Sequence, residues 1–252
     1  MIVTAFVAGS GEREDVAAKL MEVAWLHAQQ PGELLRLHPG EPAADVQPHP
    51  FTQIFQTLSW YEHPYADDRY AGYDTPASLL HWLSSTTVDA TIFLLDHQTL
   101  IRRPVSVEVG PGQGQALRWE NCPEGNGPFG LSEDYEPLRS FCVARDLPLP
   151  GVQLPLIIHS SELLRLLPGC LELMALIRKT VVKDGAEGSA DGAAQTVALN
   201  IAAAEYQVAL EPVSLEAQLA RPSTDSADGA RYLQIVETSF REGQWWEQVV
   251  PP

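Results

Sequence analysis

Tyr70 to Val105 reads YAGYDTPASLLHWLSSTTVDATIFLLDHQTLIRRPV, and its two halves follow different periodicities. Leu79, Leu80 and Leu83 recur at helical spacing behind Pro76, and Asp74 or Thr75 is placed to cap that helix. His81 and Trp82 flank the stripe, and core packing is the expected place for both. Thr91-Ile92-Phe93-Leu94-Leu95 then runs without a polar break, as in a strand covered on both faces inside a parallel sheet. Asp96 is the first polar group beyond its carboxyl end. In open α/β sheets the ligand lies in the crevice outside such ends, which makes Asp96 a candidate site residue. The bland alternative is a turn cap, because aspartate bonds readily to its own backbone.

Amino-terminal to this stretch, Ile2 to Ala8 reads as a buried strand, Gly9-Ser10-Gly11 as a turn, and the segment with Val16, Leu20, Val23, Ala24 and His27 on one face as a helix. The turn lacks the third glycine of a dinucleotide loop and the Lys-Ser/Thr of a phosphate loop, so a tight turn is its expected role. Leu34 to Leu37 completes a βαβ unit. The proline-rich run from Pro39 to Pro50, flanked by His38 and His49, reads as a surface loop, and Phe51 to Trp60 fits strand and helix equally. The aromatic and charged segment from Tyr61 to Tyr70 suits a binding-site loop or an anchored surface loop.

Beyond Asp96, Val105 to Val109 reads as a short strand, Gly110 to Gln115 as a turn, and residues 120 to 150 as a long irregular excursion. Leu154 to Ile158 is a further strand. Ser160 or Ser161 can cap a helix through Leu163, Leu164 and Leu167 that Pro168-Gly169 should interrupt before a second helical run, Leu171 to Val182. Residues 183 to 192 read as a connector, Ala193 to Leu210 as an alanine-rich helix, residues 211 to 231 as loop, and Tyr232 to Val236 as a last strand. Trp245-Trp246 near the terminus suits a plug over the core or a stacking platform for a sugar ring.

The whole chain has 252 residues, 45% of them hydrophobic, which suits one large domain. No apolar run approaches the roughly 20 residues that span a bilayer. The amino terminus reads as a strand rather than a leader, and a cytoplasmic location is expected. A formal charge of -17 marks an acidic protein and argues against nucleic acid and anionic membranes as partners. Cys122, Cys142 and Cys170 lack metal-ligand spacing and read as reduced, partly buried thiols.

Several motifs together resemble the plant and algal peptide glycosyltransferases, the hydroxyproline O-arabinosyltransferases and peptidyl serine α-galactosyltransferases. Those enzymes carry an N-K-P helix ending in H-W-L and a strand of the type I-L-D-A-D-M-I-I-R-G-P-I. The counterparts here are Tyr70 to Pro76, His81-Trp82-Leu83, and Leu94 to Val105. Weaker similarity continues through Leu156 to Leu163, Leu171 to Arg178, Ala202-Ala203-Ala204-Glu205, and Phe240 to Trp245.

The resemblance implies an α/β chain with the GT-A type nucleotide-diphospho-sugar transferase fold, a mixed sheet flanked by helices. It implies a single domain, 1 to 252, with a nucleotide-sugar half to about residue 110 and an acceptor half beyond it. The implied function is transfer of a sugar from a nucleotide diphosphate donor, with uridine the expected base, to a hydroxyl of a peptide or small molecule. Thr4, Ala5, Phe6, Tyr70, Tyr73, Asp74 and Asp96 would contact the donor. Asp96, Gln98 and Arg102 would carry the catalytic roles, and Glu205 and Trp245 would face the acceptor.

The departures fall on the metal motif. The second acid of the D-x-D pair is Gln98, the family's E-M-Y-G-Y glutamate falls at about Gln195, and its late histidine at about Ile235. Mn2+ or Mg2+ is the implied cofactor. Its site is incomplete, with Asp96 and His97 the remaining candidate ligands and Arg102, Arg103 or His97 the candidate supports for the leaving group. The expectation is a glycosyltransferase with a degenerate D-x-D motif and altered or absent metal dependence. The alternative is an inactive GT-A-like domain that serves as a binding or assembly partner.

Overall fold

A computed structural model describes residues 1–41, 50–96, 99–118, 149–181, 189–215 and 217–220. His49, His97, Gln98, Cys122, Cys142, Ile235, Trp245 and the strand expected at 232 to 236 lie outside these. So do most of the 120 to 150 excursion and most of the 183 to 192 connector.

The elements in chain order are β1 (Ile2–Val7), α1 (Glu12–His27), β2 (Glu33–Pro39), β3 (Thr52–Thr57), a 3-10 turn (Ala71–Tyr73), α2 (Asp74–Ser85), β4 (Thr91–Leu95), β5 (Leu100–Ile101), β6 (Gln113–Arg118), β7 (Val152–His159), α3 (Ser160–Val181), α4 (Ser189–Glu205), β8 (Ala209–Val213) and β9 (Leu219–Ala220). Seven strands form one sheet in the order β3-β2-β1-β4-β7-β6-β8, and β5 and β9 pair separately. β3, β2, β1 and β4 are mutually parallel. β7 runs antiparallel to β4 and to β6, and β8 returns parallel to β6.

The alternation of side chains along the strands divides the core in two. Ala5, Leu35, Leu37, Ile92 and Leu94 face the side covered by α2, α3 and α4. Phe6, Leu34, Phe93 and Leu95 face the side covered by Ala18 and Met21 of α1. β4 is buried along its whole length, as its unbroken apolar run predicts.

The differences from the sequence reading have local causes. Leu20, Val23 and Ala24 of the expected α1 face are buried, but His27 is exposed, and Ala18 and Met21 are buried as well. α3 continues through Pro168-Gly169, because its packed stripe of Leu163, Leu166, Leu167, Cys170 and Met174 outweighs the one backbone bond a proline removes. The 105 to 109 segment is irregular; Val105 N–H is taken by the Gln30 side chain and Val109 N–H by the Thr91 hydroxyl. The expected turn at 110 to 115 is shorter, since Gly112 at φ +81° reverses the chain and β6 begins at Gln113. α4 ends at Glu205 rather than Leu210. Gln207 at φ +56° turns the chain into β8, which together with β9 replaces part of the expected loop.

Capping also differs. Asp74 is the first residue of α2, but its carboxylate accepts from Trp60 N–H at 2.5 Å and from the Ser59 hydroxyl. The Ser160 hydroxyl donates to Val88 O and accepts from Ala90 N–H, tying α3 to the loop before β4. Buried Asn200 of α4 accepts from Val152 N–H at 3.0 Å and donates to Val152 O at 2.7 Å, which fixes α4 against the start of β7.

Gly32 holds the sharp turn between α1 and β2 at φ +96°, where a Cβ would collide with the Ile2 carbonyl oxygen. Gly32→Ala should lower stability by about 1–3 kcal/mol in urea unfolding, because both the left-handed backbone and the backbone contact oppose it.

Candidate functional site

The strand ends on the α1 side are closed by their own polar groups. Arg36, 1% exposed, donates to Ala8 O at 3.2 Å, Gly9 O at 2.7 Å and the Asp15 carboxylate at 3.1 Å. Gly9 N–H donates to the Glu14 carboxylate at 2.6 Å. Burial works against the Asp15 carboxylate, but bonds from Lys19 and Arg36 hold it below its ordinary value. Glu14 thus takes the Gly9 amide and Arg36 the Gly9 carbonyl, contacts that fit the Gly9-Ser10-Gly11 segment acting as a structural turn. Sequence reading placed Arg36 in a strand but missed this clamp; a single arginine between leucines was the available signal.

The opposite face opens into a cavity of about 510 Å³ at the carboxyl end of β4. The antiparallel register Leu94↔Leu156 lays the end of β4 beside the start of β7, so Asp96 meets Gln153 and Leu154 across the opening. Tyr70 and Thr75 contribute from the entry to α2, and Gln195 and Thr196 from α4. These six polar residues are all half-buried, whereas the Leu79, Leu94, Leu156, Leu163, Leu166, Leu167, Cys170, Met174 and Leu199 side chains beneath them are buried. The cavity thus has a polar rim over an apolar floor. Burial pushes the Cys170 thiol up to about 12, so it stays neutral and acts as part of the floor.

Asp96 takes the turn-cap role that its residue type allows and also lines the cavity. Its Oδ1 accepts from the Thr99 hydroxyl at 2.9 Å, and its backbone oxygen from Thr99 N–H at 3.1 Å. Among the described residues it is the one carboxylate lining the cavity, and no group of three or more His, Cys, Asp or Glu side chains comes together among them. Those residues alone do not furnish a divalent-cation site.

The remaining candidates are distributed. Tyr70 and Asp96 line the cavity together. Tyr73 is fully buried behind Tyr70. Its hydroxyl donates to Asp68 at 2.7 Å, and burial followed by that carboxylate pushes the phenol up. Asp74 is half-buried over the Ser59-Trp60 turn, and burial raises its carboxyl against the bonds from Trp60 and Ser59. Thr4, Ala5 and Phe6 are 0% exposed within the sheet. Arg102 is exposed beside the small β5/β9 sheet, where its N–H donates to Gln218 O. Glu205 is exposed at the end of α4. Thr75 was read only as a candidate helix cap, and Gln153 and Thr196 went unread, because nothing in their local sequence marks which way they face.

Arg178 of α3 holds the aromatic loop in place. It grips the Asp68 carboxylate through Nε at 2.6 Å and Nη2 at 3.0 Å, and its guanidinium lies 4.1 Å from the centre of the Tyr70 ring. The Arg178 bond, opposed by partial burial and aided by Tyr73, holds the Asp68 carboxyl below its ordinary value.

No protein-family model matches the sequence, and no curated protein matches it. Solved structures do. A crystal structure of an active-site mutant of LgtC superposes with a TM-score of 0.52 at 8% identity, covering 94% of this chain and 95% of that one. A crystal structure of the galactosyltransferase LgtC in complex with donor and acceptor sugar analogues matches with the same TM-score, identity and coverage. The seven-stranded mixed sheet flanked by helices is the GT-A fold.

Because Asp68 is held low, its pairing with Arg178 stabilises above the unfolded carboxylate value of about 3.9 and is lost as pH falls through the lower folded value. Arg178→Met should cost about 2–3 kcal/mol at neutral pH, and its difference from wild type should shrink below about pH 4. Equal differences at pH 3 and pH 7 in thermal unfolding would show that the bridge contributes nothing.

Proposed function

We propose that the protein is a glycosyltransferase that moves a sugar from a nucleoside diphosphate donor to a hydroxyl acceptor in the cavity at the end of β4. One observation carries this reading: the cavity joins the two expected halves of the chain. Tyr70, Thr75 and Asp96 come from the nucleotide half, about residues 1 to 110, and Gln153, Gln195 and Thr196 from the acceptor half. The galactosyltransferase that shares the fold is one crystallised with donor and acceptor sugar analogues. Uridine diphosphate is the donor nucleotide we assign, on the resemblance of residues 70 to 105.

Transfer breaks the bond from the anomeric carbon to the diphosphate oxygen and forms one to the acceptor oxygen. The acceptor proton leaves with the departing phosphate oxygen or passes to the Asp96 carboxylate. Gln195 and Gln153 offer amide donors and acceptors to sugar hydroxyls without adding charge. Thr4 to Phe6 act from within the sheet, by shaping the strand end under the donor, and Tyr73 and Asp74 act by holding the loop that carries Tyr70.

A second reading, ligand binding without turnover, is favoured by the same Asp96 geometry. One carboxylate oxygen is committed to Thr99, and no cation lines the cavity among the described residues to support a leaving diphosphate.

Uridine diphosphate at 100 times its dissociation constant should add about 2.7 kcal/mol of stability. Uridine diphosphate sugars should be hydrolysed slowly by the wild-type chain and at least about tenfold more slowly by Asp96→Asn, which keeps its shape and its bond to Thr99. Absence of a melting shift with any nucleoside diphosphate, with or without Mn2+, would sink the donor assignment. A shift without hydrolysis or transfer would select the second reading.

A further inference from the structure

The floor of the cavity does not suit a sugar. Sugar hydroxyls buried against Leu163, Leu166, Met174 and Leu199 would find no hydrogen-bond partners, and each buried unpaired polar group is costly. Water is disfavoured there for the same reason, since apolar cavities stay dry. Yet the space, about 510 Å³, is far larger than the voids a packed core tolerates and falls in the range of small-molecule sites. The polarity is graded, with half-buried Asp96, Gln153 and Gln195 at the rim and buried leucines beneath. Asp96 is the one charged lining residue among those described, and no cation lines the cavity among them, so nothing there selects an anionic head for the acceptor.

We propose that the acceptor is an uncharged amphipathic alcohol, whose hydroxyl-bearing head sits at the rim and whose alkyl or aryl tail occupies the leucine floor. This rests on the transferase reading for the word acceptor, and on the cavity alone for the ligand class. It sets the site apart from that of the structural neighbour, whose crystallised acceptor is a sugar analogue. Rim and floor divide the labour: the tail supplies affinity through buried apolar area, and the glutamines orient the hydroxyl toward Asp96.

The test titrates hexyl, heptyl and octyl β-D-glucosides below their micellar concentrations into the full chain by calorimetry, with glucose as the control and with and without uridine diphosphate. Affinity should rise roughly fourfold per added methylene, while glucose gives no measurable heat. Leu199→Phe and Met174→Phe, which fill the floor, should each weaken octyl glucoside at least tenfold. Should neither variant fold, the homologous series on wild type decides. Equal affinity across the series, binding of glucose alone, or octyl glucoside binding undiminished in a folded filled variant would overturn the proposal. So would absence of alkyl binding, the result expected if another segment of the chain fills the cavity. Graded alkyl binding without any nucleotide response would uphold the apolar site and remove the transferase reading. A nucleotide response with no alkyl response would do the reverse.

Discussion

The reversal of strand direction between β4 and β7 is the constraint on which the rest of the structure depends. Through β3, β2, β1 and β4 the strands run one way, and their carboxyl ends share one edge of the sheet. β7 then enters antiparallel, so its first residues lie beside the last residues of β4. A parallel neighbour would have placed another carboxyl end there, with its own crossover helix to follow. Instead the chain turns directly from β7 into α3, and α3 and α4 pack across the face that α2 only partly covers. The cavity is the space left where these three helices meet around the end of β4.

Two buried arginines, in a chain with 16 basic and 33 acidic residues, hold the edges of that arrangement. Arg36 gathers the carbonyls at the end of β1 and the Asp15 carboxylate, closing the α1 side of the sheet. Arg178 gathers Asp68 and covers Tyr70, closing the aromatic loop onto α3. A bidentate guanidinium on a carboxylate fixes orientation as well as position, which a lysine would not do. Both cations are spent on structure, and among the described residues the cavity is lined by one carboxylate and otherwise uncharged side chains. The polar rim is then Asp96 with uncharged side chains such as Gln153 and Gln195, while the floor below is made of buried leucines.

Much of this was legible along the chain. The run Thr91 to Leu95 identified the central strand and the charged residue at its end, because a strand buried on both faces disfavours a charged side chain. β1, β2, α2 and β7 followed from apolar patterning in the same way. β3 was ambiguous, since a six-residue edge segment with mixed burial matches neither template. Pro168 read as a break because propensity is local, whereas the packing that keeps α3 continuous is not. β6 was hidden in a segment rich in Gly and Gln, and β8 across the expected end of the alanine-rich helix and the loop after it, where pairing partners rather than side-chain preference decide the structure.

The sequence by itself determined the α/β class, the central strand, and Asp96 as the residue that marks its end. These depend on periodicity and on the cost of burying a polar group, both properties of short segments. Tertiary structure alone decided that Asp96, Gln153 and Gln195 line one cavity, that Tyr73 is buried while Tyr70 lines the opening, and that buried leucines line it too. Such facts depend on which strand pairs with which and in which direction, and on helices more than a hundred residues apart in the chain meeting over one face. No local pattern encodes the direction in which a distant strand will arrive.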